Sequence, residues 1–205
     1  MNTEFYNKYA NTPIRKLPFA MLDLETTGFK PGPAKITEVA IILYEDGIEE
    51  RFERFVNPEC HIPNEITALT HINDDMVKDA PTIKEIAPTL RELLNNRIFV
   101  SHNVPFDFGF FDYYFKKCLN YNYECYSLCT LMLSRKLLKL DSNKLDNVAR
   151  HFGYNLIDAH RAMNDTDAVK ALLLKFFDVL EEKGINTLKD LVDNKLIYVG
   201  KPPCR

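Results

Sequence analysis

Three short segments, the first two of them largely apolar, are separated only by turn residues and limit the architectures open to this chain. Residues 19–25 are apolar apart from two acids, a Gly/Pro loop follows over 26–33, and residues 36–44 form a second segment rich in branched side chains. The turn residues 45–47 predict that residues 48–56 return antiparallel to this second segment. The folded part of the chain therefore begins with neighbouring strands of one sheet.

Helical spacing replaces this strand pattern further along the chain. Apolar residues recur at helical intervals from Ile83 to Leu94, although Pro88 is expected to kink or shorten that helix. One more buried strand is predicted over 98–102, and the last long helix is expected to end at Gly184. Shorter helical segments are predicted for residues 64–77, 105–118, 128–138, 142–151 and 187–194. This order of strands and helices predicts an α/β fold in which helices cover a mixed sheet.

The sequence predicts one domain with two short extensions. A length of 205 residues with 46% hydrophobic and 27% charged residues suits a single globular core. Residues 18–183 are predicted to form this domain, residues 1–17 an N-terminal extension of uncertain order, and residues 184–205 a C-terminal extension. No apolar run approaches the roughly 20 residues of a membrane span, and the first residues lack a secretion signal. A cytoplasmic protein without membrane contact is therefore expected.

The five cysteines form no pattern typical of a disulfide framework or a zinc site. Their number is odd and none belongs to a C-x-x-C pair, so reduced thiols are expected. Cys125 and Cys129 are interpreted as neighbours on one helix face rather than as metal ligands.

Two acids, Asp23 and Glu25, interrupt the first apolar segment. Their spacing on a strand directs both carboxylates to the same face of the sheet. Like charges in such a place are costly unless hard divalent cations neutralise them. Taken alone, the pair is more often a structural feature of a strand end. The small residues of the following Thr26-Thr27-Gly28 loop, however, would let a ligand approach the carboxylates closely.

Two further acids lie near predicted helix starts. Asp107 follows the predicted strand 98–102, and its ordinary interpretation is a helix-capping acid. Asp165 falls within the apolar stripe of the last long helix, where a structural acid of the first turn is the alternative. His160 precedes Asp165 by five residues, an offset of roughly 140° on a helix. The two can face one point only if His160 lies in the loop before the helix.

Three motifs in this order resemble the DnaQ-like, or DEDDh, 3′→5′ exonuclease family, which includes the proofreading epsilon subunit of bacterial DNA polymerase III. The resemblance extends over about residues 18–180. The motifs are Asp23-Leu24-Glu25-Thr26-Thr27-Gly28, His102-Asn103 with Phe106-Asp107, and His160-Arg161-Ala162 with Asp165.

The resemblance implies a ribonuclease H-like fold and a metal-dependent nuclease site. It implies that four acids hold two Mg²⁺ or Mn²⁺ ions and that His160 acts as general base. The four acids are Asp23, Glu25, Asp107 and Asp165. A free histidine has a pKa of about 6.5 and can accept a proton near neutral pH. Activity is accordingly expected to rise between roughly pH 6 and 7.5.

The resemblance also implies a set of substrate contacts. They comprise the backbones of Thr26 and Thr27, the motif residues His102 and Asn103, Phe106 against the terminal sugar, and Ile66 and Leu69 beside the last bases. One departure concerns His71, which stands where the family usually has glycine, so the shape of the loop there is in question.

Two groups near these motifs are assigned ordinary structural roles. Asp167 lies close to Asp165 in sequence, but helical geometry turns it about 200° away. The aromatic residues of 106–115 invite a base-stacking interpretation, yet their spread around a helix favours packing in the core, with Phe106 as the exception.

The leading functional hypothesis is an exonuclease that releases nucleoside monophosphates from single-stranded or frayed DNA 3′ ends. It would act in proofreading with a DNA polymerase or in stand-alone repair. The alternatives are an exoribonuclease that trims RNA 3′ ends and a non-catalytic nucleic-acid-binding module. The net charge of −3 and pI of about 6.0 argue against a protein that coats long duplexes. They do not exclude an enzyme whose bound cations supply the positive charge.

Overall fold

A mixed sheet forms the centre of the computed structural model, which describes residues 3–157 and 159–203. The six strands of the described residues are β1 Phe19–Thr26, β2 Ile36–Glu45, β3 Ile48–Phe55, β4 Ile98–Ser101, β5 Cys125–Cys129 and β6 Tyr198–Gly200. They are arranged in the order β3-β2-β1-β4-β5-β6. Strand β4 is parallel to β1 and to β5, and the other neighbours are antiparallel. The predicted α/β fold with a mixed sheet is confirmed.

Helices cover both faces of this sheet. The long helix α8 packs across β1 and β2 on one face, with α6 and α7 against it, whereas α4 and α5 pack together on the other face. The helices of the described residues are α1 Thr3–Tyr9, α2 Asn64–Thr70, α3 Asp74–Val77, α4 Ile83–Leu94, α5 Val104–Leu119, α6 Thr130–Leu137, α7 Leu145–His151, α8 Ala162–Glu182 and α9 Leu188–Asp193. None of them combines the length and apolar character that a membrane span requires.

The alternation of side chains along β1 determines where its two acids lie. Phe19 and Met21 belong to the core on the α8 side, whereas Ala20 and Leu22 belong to the core on the opposite side. Successive residues of a strand point to opposite faces. The carboxylates of Asp23 and Glu25 therefore face the α8 side, as Met21 does. They lie at the C-terminal end of β1, where the apolar packing ends.

Strand β5 is a correction to the sequence analysis. Its ends are Cys125 and Cys129, and helix α6 begins only at Thr130. The two cysteines are therefore not neighbours on a helix face. All five residues of β5 are buried, and an apolar run of that length leads into the helix without a turn signal. Periodicity alone does not separate a short buried strand from the start of a buried helix.

The end of α8 follows the prediction, and α4 differs in part. Gly184 lies just beyond the end of α8 with a φ of +76°, a conformation that glycine adopts without strain. Pro88, however, lies inside α4, which continues from Ile83 to Leu94. The helix is therefore not shortened at this proline.

The terminal segments pack against the core and against each other. Residues 3–17 contain α1 and a 3₁₀ turn, Ile14–Lys16, where the sequence predicted uncertain order. Ile14 is fully buried and its N–H donates to the Asn186 carbonyl oxygen at 2.8 Å. The Lys189 N–H donates to the Ala10 carbonyl oxygen at 2.8 Å. The limits 18–183 for the nuclease domain stay a prediction, but both flanking segments contribute to the folded body.

Candidate active site

The acids of the three motifs come from separate elements that meet at one edge of the sheet. Because β1 and β4 are parallel, their C-terminal ends lie at the same edge. Asp107 is in the first turn of α5, which follows β4, and Asp165 is in the first turn of α8. The topology therefore brings both aspartates to the end of β1, where Asp23 and Glu25 lie.

Carboxylate and imidazole atoms of this cluster lie within ligand distance of one another. One ligand atom each of Glu25, His160 and Asp165 falls within 4.8 Å of the others. Burial raises the pKa of Asp23 well above its usual value, and the charges of Asp107, Asp165 and Glu25 raise it further. Asp23 and Asp107 are thus close enough to share the electrostatic field of this group. We call the four carboxylates and His160 the acidic pocket.

Burial disfavours the charged form of every carboxylate in the acidic pocket. It raises the pKa of Glu25 to about 8, with added contributions from the Asp165 and Glu38 charges. It also raises the pKa of Asp107 to about 7, partly opposed by the nearby Ser101 hydroxyl and Leu24 N–H. The pKa of Asp165 is raised for the same main reason. With all four carboxylates ionised, the pocket would hold more negative charge than the protein itself neutralises.

Two oxygens of the acidic pocket are left without a hydrogen bond. Oδ1 of Asp107 and Oδ1 of Asp165 are buried and have no partner among the described residues. An unpaired buried carboxylate oxygen is costly, and a divalent cation with oxygen ligands removes that cost. The residues of the pocket therefore suit a hard metal ion, although the identity of that ion does not follow from them.

His160 lies in the loop before α8, as its spacing from Asp165 requires. Its backbone φ is +69°, and its N–H donates to Asp165 Oδ2 at 3.1 Å. The residue is exposed at the mouth of the pocket. This placement holds the imidazole beside the carboxylates and leaves it open to exchange protons with solvent.

Glu38 is a site residue that the sequence analysis missed. It lies on β2 directly opposite Glu25 and is only 1% exposed. Its carboxylate accepts hydrogen bonds from the Arg161 guanidinium at 2.9 Å and from the Ala162 N–H at 3.0 Å. The Arg161 guanidinium also lies over the Phe55 ring at 5.5 Å. These contacts fix the residue after His160 and the first residue of α8.

A signal for Glu38 was present in the sequence. It is the only charged residue within the run Ile36–Leu43, whose other members are apolar apart from Thr37. An acid there is unfavourable without a partner, because the run forms a buried strand. Its partner lies 123 residues further along the chain, so the pairing with Arg161 could not be derived from local pattern.

A comparison with known families shows to which family the chain belongs. Residues 20–173 match the RNase_T family, described as an exonuclease family. The chain belongs to this exonuclease family. The predicted membership of an exonuclease family is thereby confirmed.

Related sequences occur within DNA polymerase III PolC-type proteins. The chain is 38% identical over 175 residues to a DNA polymerase III PolC-type protein of Caldanaerobacter subterraneus, covering 84% of this chain and 12% of that protein. It is 33% identical over 187 residues to the PolC-type protein of Staphylococcus haemolyticus, covering 90% of this chain and 13% of that protein. The chain thus spans only about an eighth of the length of these relatives.

Solved exonuclease structures share the fold. Exonuclease X in complex with 5′ overhanging duplex DNA has a TM-score of 0.67 at 23% identity, covering 85% of this chain and 98% of that one. The nuclease domain of 3′hExo, a DEDDh family member bound to rAMP, has a TM-score of 0.66 at 15% identity, covering 84% and 96%. The predicted ribonuclease H-like fold is confirmed.

The threonines of the first exonuclease motif shape the loop that follows β1. The Thr26 hydroxyl donates to the Gly28 carbonyl oxygen at 2.6 Å. The Thr27 N–H donates to the Lys35 carbonyl oxygen at 2.8 Å, and Thr27 Oγ1 accepts from the Lys35 N–H at 2.9 Å. The backbone N–H of Thr27 is therefore used within the loop, so a substrate contact there would require other atoms of this residue.

His102 and its neighbours in the second exonuclease motif have different roles. Nδ1 of His102 lies 2.9 Å from Thr130 Oγ1, and Nε2 lies 2.9 Å from the Asn143 carbonyl oxygen. Burial lowers the pKa of His102 to about 4, so its ring is neutral and donates from Nε2. Both ring nitrogens have partners within the protein, and the substrate contact of His102 stays a prediction. Asn103 is exposed and Phe106 half-buried, so both remain accessible.

The apolar element predicted beside the last bases is helix α2. Ile66 packs against a small buried cluster, whereas Leu69 is 46% exposed at the surface. His71 follows the helix in the left-handed conformation, with a φ of +59°. This is the conformation for which glycine is favoured, which is consistent with glycine being the usual residue there in the family that the motifs resemble. The turn keeps a glycine-like backbone with a histidine in place.

Proposed function

We propose that the chain removes nucleoside monophosphates from single-stranded or frayed DNA 3′ ends by metal-dependent hydrolysis. The observation that carries this proposal is the acidic pocket, in which unpaired carboxylates from three elements converge beside an exposed histidine. An exonuclease of this family needs such a pocket at the terminal phosphodiester. A structural cluster would instead be expected to contain basic partners.

Four residues would hold the metal ions in this proposal. They are Asp23, Glu25, Asp107 and Asp165, with the unbonded Oδ1 atoms of Asp107 and Asp165 as the clearest candidate ligands. When bound, two Mg²⁺ or Mn²⁺ ions supply Lewis-acid activation of water and charge stabilisation at the phosphate. The pocket acids orient these charges around the scissile bond.

His160 and the residues around it would handle the proton. The exposed imidazole at the pocket mouth accepts the proton of the attacking water and passes it to solvent. Arg161 and Glu38 hold the loop that presents this ring. Phe106 and Asn103, both accessible at the start of α5, are proposed to contact the terminal nucleotide.

The preference for DNA is supported by the PolC-type relatives, which are DNA polymerases. The same relatives support a role beside a polymerase in proofreading or repair, in the cytoplasm. If the chain has a polymerase partner, that polymerase should co-purify with the tagged chain from the cells that naturally produce it.

Digestion of matched oligonucleotides tests the proposal. A 5′-labelled single-stranded DNA should give a ladder that shortens from the 3′ end with Mg²⁺ or Mn²⁺ and stays intact with EDTA. An RNA of the same sequence should be degraded more slowly. Faster hydrolysis of RNA would replace the DNA assignment with RNA trimming. An inert protein that also fails to bind divalent ions in calorimetry would be a binding module instead.

A blocked 3′ end provides the control for direction. A 3′-terminal phosphorothioate linkage should delay the first products, whereas the same linkage at the 5′ end should not. If the 5′ modification alone slowed the reaction, the proposed polarity would be wrong.

A further inference from the structure

A groove of about 800 Å³ extends along α5 from Asn103 and Phe106, the residues proposed to contact the terminal nucleotide. One wall is the loop after β1, with Phe29 and Lys30, and the other is helix α5, with Phe106, Tyr113, Lys116 and Lys117. We call it the lysine groove. Phe106 immediately precedes Asp107 of the acidic pocket, so the groove runs along the helix that begins at this pocket.

The two walls of the lysine groove are fixed against each other. Gly32 adopts a φ of +97°, and a Cβ there would lie 3.3 Å from the Tyr113 ring. A Cβ on Gly109 of α5 would lie 3.6 Å from the Pro31 side chain. The loop therefore packs closely on the helix, and the groove is a built feature of the fold.

The groove carries positive charge in a chain that is negative overall. Lys30, Lys116 and Lys117 are exposed and form no ion pair among the described residues. The acid that lines the groove, Asp112, is already paired with Lys201 at 2.6 Å. Three uncompensated lysines thus face a cavity within a protein whose net charge is −3. Their natural counterion is a chain of phosphates.

Aromatic rings line the same groove. Phe29 is 84% exposed, an unusual position for a large apolar side chain beside an active site. Phe106 and Tyr113 on the opposite wall are half-buried and accessible, although the sequence analysis expected only Phe106 to be so. Rings of this kind offer stacking faces to unpaired bases, and together with lysines they form the usual surface for single-stranded nucleic acid.

We infer that the lysine groove binds the nucleotides preceding the terminal one, as a single strand that leads into the acidic pocket. The lysines contact the phosphates and Phe29 stacks on a base, while Tyr113 supports the Lys117 ammonium, which lies over its ring at 5.7 Å. This inference rests on the proposed function, because it assigns the continuation of the same substrate. It adds that the enzyme distinguishes a strand of several nucleotides from an isolated terminal nucleotide.

A comparison of a short and a long substrate tests the inference. The p-nitrophenyl ester of thymidine 5′-monophosphate reaches only the acidic pocket, whereas a single-stranded DNA of about ten nucleotides also fills the groove. In K116Q/K117Q, kcat/KM for the oligonucleotide should fall about tenfold relative to that for the ester. The matched control K175Q/K183Q removes two exposed lysines at the far end of α8 and should leave this ratio within about twofold.

Binding measured without turnover keeps the inference separate from the proposed function. Fluorescence anisotropy of a labelled oligonucleotide with D107N should show weaker binding when K116Q/K117Q or F29A is added, and a smaller salt dependence for the lysine variant. Hydrolysis of the ester by the parent protein, together with unchanged oligonucleotide affinity when K116Q/K117Q or F29A is added to D107N, would overturn the groove and leave the nuclease standing. A parent protein that hydrolyses neither substrate, together with weaker oligonucleotide binding in these variants, would overturn the nuclease and leave the groove standing. Equal loss in K175Q/K183Q would also overturn the groove.

Discussion

Helix α8 carries two aspartates, two residues apart, that lie in opposite electrostatic surroundings. Asp167 accepts two hydrogen bonds from the Arg51 guanidinium, at 2.7 and 2.9 Å, and its pKa is lowered mainly by that contact. Asp165 is buried, has one oxygen without a partner among the described residues, and its pKa is raised mainly by burial. The same residue type on one helix is stabilised as a charge in one place and destabilised in the other.

This difference teaches how to recognise the site among many acids. The chain has 29 aspartates and glutamates, so an acidic residue by itself says little. The region around Asp167 is electrostatically complete, because Arg51 and Lys170 already neutralise it and Glu49. The acidic pocket is incomplete without a cation from outside. Absence of a basic partner, together with burial, is what marks the pocket as functional.

Among the substitutions in and around the acidic pocket, replacement of Asp107 by asparagine should reduce hydrolysis most. The change keeps the shape of the side chain but removes a charged ligand, so hydrolysis should fall by roughly a thousandfold or more. Steady-state rates with a DNA oligonucleotide measure the loss, and circular dichroism checks that the fold is retained. An Asp107→Asn enzyme of near-normal activity would remove Asp107 from the proposed set of metal ligands.

Loss of the His160 imidazole should have the next largest effect. His160→Gln should reduce kcat by about a hundredfold to ten-thousandfold, because a positioned proton acceptor is lost while the carboxylates remain. Divalent-ion affinity, measured by calorimetry, should change little. Comparable loss of ion binding and of kcat would mean that His160 acts mainly as a ligand and not as general base.

The contrast between the two aspartates also shows what the sequence could predict. The two-residue period of a strand predicted that Asp23 and Glu25 share one face of the sheet. The angular offset between His160 and Asp165 on a helix predicted that His160 lies in the preceding loop. Both are local properties of the sequence. The separate environments of Asp165 and Asp167 followed from helical geometry as well. Each of these depends on residues close together in the chain.

The features that escaped prediction depend on distant partners. Glu38 becomes part of the site only through Arg161, and β5 becomes a strand only through its neighbours β4 and β6. The lysine groove forms because the loop at Gly32 meets Tyr113 of α5, two segments that are remote in sequence. No local sequence pattern predicts contacts between segments so far apart in the chain. The family resemblance predicted the residues of the acidic pocket, but not Glu38, which holds the loop beside it.

The pair of buried Glu38 and half-buried Arg161 offers an intermediate case between the two regions, since it is paired yet adjoins the pocket. Glu38→Gln should lower kcat by about tenfold to a hundredfold, with a smaller change in KM, because the loop of His160 loses its anchor. Arg161→Lys should retain more activity than Arg161→Ala, since it keeps the charge near Glu38. Equal effects of the two Arg161 variants, with unchanged kcat in Glu38→Gln, would rule out this positioning role.

The metal-free protein should lose stability as pH rises, because the acidic pocket then gains negative charges without a cation to neutralise them. The folded-state pKa values of Glu25, about 8, and Asp107, about 7, lie above the unfolded values of about 4. Their contribution is therefore present below about pH 4 and is lost as pH rises towards 8. With EDTA, Tm should fall by roughly 5 °C between pH 5.5 and 8. Mn²⁺ should raise Tm more at pH 8 than at pH 5.5, and a flat profile would count against the burial argument.

Asp167→Asn should have the smallest effect, because it perturbs the region that is already complete. Its pKa is lowered in the folded protein, so its ion pair stabilises above about pH 4 and is lost as pH falls further. Since this pair is partly exposed to solvent, the free energy of unfolding at pH 7 should drop by only about 0.5–1 kcal/mol in urea titration. Activity should stay within about twofold of the parent, because the side chain is directed towards Arg51 and away from the acidic pocket. A loss of activity as large as that of Asp107→Asn would mean that the presence or absence of a basic partner does not separate structural from functional acids on this helix.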